Sequence, residues 1–320
     1  PGCAAAPKAQ TASFLAMDTA MDLTIYGDAD LPGQVQGLID DLEGQLSVTD
    51  PDSQIYAVNA RGSGTLTGRA DTLMGQALDL CRRTGGALDL SIYPVVRAWG
   101  FTTGDYQVPS DDDLATLTAL VDYTRIDYDP ASGAVSLPEG MEIDLGSVAK
   151  GYAGREAAQL LRQAGVSSAL LNLGGNIQTV GSRPDGDPWQ IGVKDPSTGQ
   201  PMMVLSIRDQ AVVTSGGYER YFQQDGRTYW HIMDPATGRP AESGLRSVTI
   251  VGDDGLVCDG LSTALFVMGL ERAAQFWAGS DDFEAIFVTD DGSVYLTQGL
   301  TDRFALTQDH ADTPVQVIQR

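Results

Sequence analysis

The chain has 320 residues, enough for one large domain or two smaller ones at roughly 100–200 residues per domain. It contains 43 acidic and 20 basic residues, and the net charge of −23 argues against general binding to nucleic acid or to anionic lipid. No segment approaches the roughly 18 uninterrupted apolar residues that a membrane-spanning helix requires. An anionic ligand would need a local cation or a metal ion in order to bind.

The first residues, PGCAAAPKAQT, are small and flexible in composition, so residues 1–11 are predicted to form a tether and residues 12–320 the functional domain. Gly2-Cys3 followed by such a tail is typical of the lipid-attachment cysteine of a processed bacterial lipoprotein. We therefore expect a lipid anchor at Cys3 and a location outside the cytoplasm, at a membrane. Cys81 and Cys258 are expected to be core residues.

Hydrophobic periodicity predicts the elements of the first half of the chain. A strand is expected over residues 13–28, and an amphipathic helix over residues 32–47 follows it. Further helices are predicted at about 69–83 and at about 111–121, the last from the spacing of a capping box.

The second half combines helices with many short strands. A helix from Ser147 to Gly165 precedes a buried strand, and short alternating runs between residues 186 and 252 are separated by turn sequences, which indicates antiparallel pairing. Three more strands are expected near the end of the chain. The predicted fold class is α+β, with mixed, largely antiparallel sheets faced by helices, in one compact unit that could be divided into two lobes.

The stretch VCDGLSTALFVMG, residues 257–269, places Asp259, Ser262 and Thr263 at the start of an apolar run. A helix that begins after Asp259 would make this residue the N-cap, the commoner role for such an acid. The three side-chain oxygens could instead hold Mg²⁺ or Ca²⁺, since both ions prefer oxygen ligands. The stretch alone favours the cap.

The segment EIDLGSVAKGYAGREAA, residues 142–158, offers Asp144, Ser147 and Lys150 around a helix start. Free N–H groups at a helix N-terminus attract phosphate, and a lysine in the first turn adds a positive charge. The segment lacks the spacing of a Walker or dinucleotide-binding motif, so a nucleotide would bind in another way.

The chain has two histidines. His310 lies in a polar C-terminal region and is expected at the surface. A lone histidine such as His231 is more often structural than catalytic, but His231 lies where a strand enters a turn, a position typical of functional sites. Trp99-Gly100-Phe101 could be a core turn or the wall of a pocket for a flat aromatic cofactor.

In their order along the chain, eight stretches between residues 12 and 270 together resemble the ApbE family of flavin transferases, FAD:protein FMN transferases. They are FLAMDTAMDLTIYG, LSVTDPDSQIYAVN, YPVVRAWGF, IDLGSVAKGYA, LLNLGGNIQTVG, VVTSGGYERYF, HIMDPATGRP and CDGLSTALFVMG. The resemblance implies an ApbE or T-fold-like fold and a Mg²⁺-dependent enzyme outside the cytoplasm. Such an enzyme cleaves FAD, attaches FMN to a Thr or Ser hydroxyl of an acceptor redox protein, and releases AMP.

The resemblance also implies site residues. Asp259 and Thr263 match the metal ligands of the family, and Ser147 matches a position that adds its backbone carbonyl. His231 is our candidate for proton transfer, although an aspartate linked to the metal could also accept the proton, and the sequence does not choose between them. The positions that match FAD-contacting residues are Met17, Trp99, Gly100, Phe101, Asp144, Lys150 and Met233.

Three positions depart from the family pattern. Thr49 stands where many members have a tyrosine that stacks on the flavin, so Tyr56 or Trp99 would have to stack instead. Asp18 replaces a usual glycine, and Gly217 replaces a frequent aspartate. Two other functions remain open: an FAD pyrophosphatase that yields FMN and AMP with water as acceptor, and a non-catalytic flavin-binding lipoprotein.

Overall fold

The computed structural model describes residues 8–320. The α-helices in this part are α1 (Leu31–Leu46), α2 (Gln54–Arg61), α3 (Gly68–Arg83), α4 (Tyr93–Ala98), α5 (Asp111–Thr118), α6 (Gly146–Gln163), α7 (Gly255–Met268) and α8 (Leu270–Ala278). Short 3-10 helices cover Leu90–Ile92, Tyr123–Arg125, Gln298–Arg303 and Gln308–His310.

The strands of the described residues are short and numerous, as the alternating runs predicted. They are β1 (Ala9–Ala16), β2 (Thr19–Tyr26), β3 (Ser63–Thr65), β4 (Asp127–Asp129), β5 (Ala134–Ser136), β6 (Ser168–Leu173), β7 (Asn176–Gly181), β8 (Trp189–Lys194), β9 (Pro201–Ile207), β10 (Ala211–Gly216), β11 (Tyr221–Gln224), β12 (Arg227–Trp230), β13 (Met233–Asp234), β14 (Arg239–Pro240), β15 (Leu245–Gly252), β16 (Phe283–Thr289), β17 (Val294–Thr297), β18 (Phe304–Leu306) and β19 (Val315–Ile318).

A nine-stranded sheet organises the fold, in the order β1-β2-β6-β7-β10-β15-β16-β17-β19. Its pairs are antiparallel except β17 with β19. Helices α1, α3, α6 and α7 cover one face, and the three-stranded sheet β18-β9-β8 packs on the other. Val213 lies in the core on the helix side and its neighbour Val212 in the core on the other side, as strand alternation requires. The predicted α+β class is confirmed.

The predicted strand over residues 13–28 is instead a hairpin of β1 and β2. Met17 and Asp18 form its two-residue turn, with φ of +49° and +58°. Tight hairpin turns of this kind need positive φ at both central residues, which explains why glycine is the easier residue at the position of Asp18. The apolar alternation continues through the turn, so periodicity alone concealed it.

The N-terminal boundary also differs from the prediction. β1 begins at Ala9, so Ala9–Thr11 of the predicted tether pair with β2. The predicted anchor, Cys3, lies outside the described residues. Cys81 and Cys258 are buried, as expected.

Helices α6 and α7 touch through glycines. A Cβ on Gly151 would lie 2.1 Å from the carbonyl oxygen of Gly255 and 2.5 Å from Cβ of Asp259. No side chain fits there, so the two backbones pack directly against each other. This contact brings the N-terminal parts of both helices together.

Three chain connections meet at one end of the large sheet. Register pairs Met21 with Leu173, Leu173 with Asn176 and Asn176 with Val213. The β1–β2 turn, the β6–β7 turn and the end of β10 therefore lie side by side, next to Asp259 on α7, whose pKa the Asn176 amide helps to lower.

Candidate functional site

Asp259 is not the cap of α7. The helix begins one turn earlier, at Gly255, and Asp254 is its N-cap, with its carboxylate accepting the N–H of Leu256 at 2.9 Å. The prediction that Asp259 caps the helix is therefore wrong. Asp259 lies inside the helix, is 7% exposed, and accepts the N–H of Gly151 at 2.7 Å.

The Gly151 N–H connects Asp259 to Ser147. In a regular α-helix, this N–H is the partner of the carbonyl four residues earlier, which belongs to Ser147. Because it donates to the Asp259 carboxylate, the Ser147 carbonyl competes with Asp259 for one proton. Helical geometry therefore puts the Ser147 carbonyl on the side of this N–H, one turn before the residue that contacts Asp259.

The oxygens around Asp259 fit a small divalent cation. The hydroxyl of half-buried Thr263, one helical turn on, makes no hydrogen bond to other described residues, and the Asp259 carboxylate lies beside the Gly151 N–H and the Asn176 amide. Residues 8–320 contain no group of three or more His, Cys, Asp or Glu side chains placed to hold a metal. Any metal here would rest on one carboxylate, with a hydroxyl and a carbonyl, and these hard oxygens suit Mg²⁺.

Ser262, the third oxygen of the opening motif, does not belong to this set. Its hydroxyl is fully buried and donates to the main-chain carbonyl of Asp259 at 2.7 Å. The Ser215 hydroxyl lies 2.7 Å from it. Ser262 therefore faces β10 and not the open side of the site.

Burial dominates the electrostatics of Asp259. It raises the pKa of this carboxyl to about 6, while the positive charge of Lys150, the Gly151 N–H and the Asn176 amide act in the opposite direction. Lys150 makes no ion pair within 4 Å among the described residues, although its charge also acts on Asp144 and His231. It is a cation that an anionic ligand could use.

The sequence did not identify Glu219, which lies in the connection after β10. Burial raises the pKa of its carboxyl to about 7, Lys150 lowers it, Asp259 raises it and Lys194 lowers it. The residue as a whole is exposed, so its carboxyl lies at the surface of the protein, within range of the charge of Lys150. Nothing in SGGYER marks a site carboxylate, because only the fold brings it near Lys150.

His231 is held by one backbone carbonyl. The main-chain N–H of His231 donates to the Arg220 carbonyl at 3.1 Å, and the ring atom Nδ1 lies 3.2 Å from the same oxygen. A carbonyl only accepts, so this contact requires a proton on Nδ1 and leaves the Nε2 lone pair free. Burial lowers the pKa of His231 to about 4, helped by the charges of Arg220 and Lys150, so the ring is neutral at pH 7.

His310 is not the surface residue that was predicted. Its Nε2 lies 3.0 Å from an Asp195 carboxylate oxygen and its Nδ1 lies 3.1 Å from the Thr307 hydroxyl. It fastens the C-terminal region to the turn after β8. Composition could not show this, because the partners are distant in the sequence.

The aromatic segment is packed inside a small core. Trp99 is 0% exposed, donates Nε1–H to the Gly238 carbonyl at 2.7 Å, and lies 5.3 Å from the Tyr229 ring. It cannot stack on a ligand in this arrangement, which leaves Tyr56 of the two residues considered. A Cβ on Gly100, whose φ is +87°, would lie 2.2 Å from the Asp105 carbonyl oxygen.

Phe101 and Met233 belong to the same core and are 2% and 5% exposed. Only Phe101 reaches the site, with its ring 6.3 Å from that of His231. Met17, in the β1–β2 turn, donates its N–H to Glu43 at 3.0 Å, and Asp144 accepts the Gly146 N–H at 2.7 Å. FAD contact by these residues stays a prediction.

The structure thus brings Ser147, Lys150, Asp259 and Thr263 together at the α6–α7 contact. Asp144, Glu219 and His231 surround Lys150 within range of its charge.

Comparison with known proteins shows the family of this chain. The model of the ApbE family matches residues 17–287. An FAD:protein FMN transferase of Klebsiella pneumoniae is 35% identical over 300 residues, which cover 92% of this chain and 93% of the relative. One from Treponema pallidum is 34% identical, over 84% of this chain and 80% of the relative.

Solved structures show the same fold. The ApbE protein of Thermotoga maritima superposes with a TM-score of 0.86 at 28% identity, over 91% of this chain and 98% of its own. The flavin transferase ApbE of Vibrio cholerae gives a TM-score of 0.81 at 28% identity, over 93% and 99%.

Proposed function

The chain belongs to the ApbE family, and we propose that it transfers FMN from FAD to a Thr or Ser hydroxyl of an acceptor protein, with release of AMP and in dependence on Mg²⁺. The observation that carries this proposal is the bond from the Gly151 N–H to the Asp259 carboxylate, which supports a cation site at the contact between the two helices that carry Ser147 and Asp259.

The residues around this N–H would hold the metal and the pyrophosphate. Asp259, the Thr263 hydroxyl and the Ser147 carbonyl would hold Mg²⁺, which supplies charge stabilisation to phosphoryl transfer. Lys150 and the free N–H groups of the first turn of α6 would bind phosphate oxygens. This local positive potential would allow an anionic ligand to bind although the chain has a net charge of −23.

His231 would accept the proton of the acceptor hydroxyl. The hydroxyl oxygen forms a bond to the phosphorus of the FMN moiety, the bond from that phosphorus to the bridging oxygen breaks, and AMP leaves with that oxygen. The proton passes to Nε2, the nitrogen that the Arg220 contact leaves free. A neutral ring at pH 7 is the form this step needs.

The two histidines provide a matched test. The protein is incubated with FAD, Mg²⁺ and an acceptor that carries a Thr/Ser flavinylation segment, and acceptor-bound flavin fluorescence and AMP are measured. We expect labelled acceptor with wild type and with the control His310→Asn, and a loss of roughly 10²-fold or more in rate with His231→Asn. AMP release without labelled acceptor would indicate the pyrophosphatase, and neither product would indicate the non-catalytic flavin-binding protein.

We also propose an extracytoplasmic, membrane-anchored location through a lipid on Cys3. The Gly2-Cys3 sequence and the composition of the following residues support it. No helix within residues 8–320 has the length and apolarity needed to span a bilayer. Mass spectrometry of the native protein and of Cys3→Ser should find a lipid only in the former, and an unmodified Cys3 would contradict the proposal.

A further inference from the structure

A chain of buried hydroxyls lies beneath Asp259. The Ser262 hydroxyl donates to the Asp259 carbonyl at 2.7 Å, and the Ser215 and Ser262 hydroxyl oxygens are 2.7 Å apart. Ser262 is 0% and Ser215 9% exposed. Since Ser262 uses its only proton on the carbonyl, Ser215 must be the donor in the second bond. Strand β10 is thereby connected to the main chain of α7 at Asp259.

The carbonyl that receives this bond belongs to the turn that carries both predicted side-chain ligands. In α-helical geometry, the Asp259 carbonyl also accepts the N–H of Thr263. We propose that Ser215 and Ser262 are positioning residues, which orient Asp259 and Thr263 toward the Ser147 carbonyl and so set the affinity of the site for a divalent cation. This inference rests on the metal site of the proposed function.

The fold itself gains little from these hydroxyls. The Asp259 carbonyl already has a helical partner, so Ser262 satisfies no otherwise unpaired group. Burying two hydroxyls has a desolvation cost, and replacing both members of such a pair by apolar groups is often nearly neutral for stability. What the pair adds is orientation, because it fixes one helical turn against a strand of the central sheet. Hydrogen bonds behind metal ligands typically change metal affinity by about 10–100-fold.

A second hydroxyl pair on the same strand provides a matched control. Thr214 and Thr249 are directly opposite each other on β10 and β15, with their hydroxyl oxygens 2.8 Å apart. Strand alternation places Thr214 on the opposite face of the sheet from Ser215, away from α7. Thr214→Val with Thr249→Val removes a pair of the same kind without touching Asp259.

The test uses Mn²⁺ as the probe. Free Mn²⁺ is followed by electron paramagnetic resonance while wild type, Ser215→Ala/Ser262→Ala and the threonine control are titrated. AMP release from FAD is also measured against Mg²⁺ concentration. We expect the double serine variant to bind Mn²⁺ at least about tenfold more weakly and to recover activity at high Mg²⁺. Its melting temperature should stay within a few degrees of wild type, and the threonine control should bind like wild type.

Equal Mn²⁺ affinity of the double serine variant and wild type would overturn the positioning role. If wild type bound no Mn²⁺, the metal site of the proposed function would itself be wrong, and that result would be visible before any variant is compared. If the double variant did not fold, the Mn²⁺ affinity of Ser215→Ala would be measured instead, because this variant keeps the hydrogen bond from Ser262 to Asp259. A smaller but measurable loss of affinity is expected there, and an unchanged affinity would refute the inference.

Discussion

Replacing Gly151 by alanine should separate α6 from α7 and disable the site. The new Cβ would lie 2.1 Å from the Gly255 carbonyl oxygen and 2.5 Å from Cβ of Asp259, so the helices must move apart. Overpacking of this kind costs about 1–3 kcal/mol. Loss of the Asp259 bond to the Gly151 N–H costs a further ~1.5–3 kcal/mol. The better helix propensity of alanine returns only about 0.5–1 kcal/mol. The net expectation is a destabilisation of roughly 1.5–5.5 kcal/mol.

Gly37 provides the control for this substitution. It lies inside α1 with nothing within 4 Å of an added Cβ, so Gly37→Ala should stabilise by about 0.5–1 kcal/mol. Urea unfolding of both variants measures the two free energies, and AMP release from FAD measures function. A Gly151→Ala protein as stable and active as Gly37→Ala would show that the close α6–α7 contact does not support the site.

Three further predictions concern charge. Burial raises the pKa of Asp259 to about 6, so the folded chain holds this proton more tightly than the unfolded chain, and stability falls as pH rises from 3.8 to about 6. Asp259→Asn should therefore stabilise the metal-free protein above pH 6 by up to about 3 kcal/mol and have little effect on stability near pH 4. It should also abolish turnover. A variant less stable than wild type at pH 7 would contradict this prediction. Asp254→Ala removes the N-cap of α7 and its 2.9 Å bond to Arg155, and should lower the free energy of unfolding in urea by about 1 kcal/mol. An unchanged free energy of unfolding would contradict the assignment of Asp254 as the cap. Because burial lowers the pKa of His231 to about 4, its neutral form is favoured in the fold, and the stability it contributes is present above pH 6.5 and lost as pH falls toward 4. As the pH is lowered, the transfer rate should accordingly decline only near pH 4. A decline near pH 6.5 that is absent from His231→Asn would refute the burial argument.

Local patterns predicted the helices well. The predicted helix at 32–47 is α1 at Leu31–Leu46, and that at 69–83 is α3 at Gly68–Arg83, because each buries one apolar face against the same core. The hairpin at Met17-Asp18 was missed because two residues without glycine supply the positive φ. The cap was placed one turn late because Asp254 and Asp259 both precede apolar residues, and only the helix start distinguishes them.

The candidate site depends on contacts that no local pattern contains. The bond between Gly151 and Asp259 joins residues 108 positions apart, and the close glycine contact permits it. The resemblance to a known family predicted Ser147 and Asp259 as site residues, which stays a prediction, but it did not predict the bond from the Gly151 N–H to Asp259. Glu219 and the Ser215–Ser262 pair carry no sequence signal, since serine and glutamate are common in turns and on surfaces.

Strand β10 connects the proposed cation site with the residue proposed to accept the proton. Strand β10 contacts the metal side through Ser215, and a few residues later the chain reaches Arg220, whose carbonyl holds His231. A shift of β10 would therefore change the orientation of Asp259 and the position of Nε2 together. Substitutions that loosen this strand should weaken cation binding and proton transfer in parallel, whereas substitutions at the surface of α1 should affect neither.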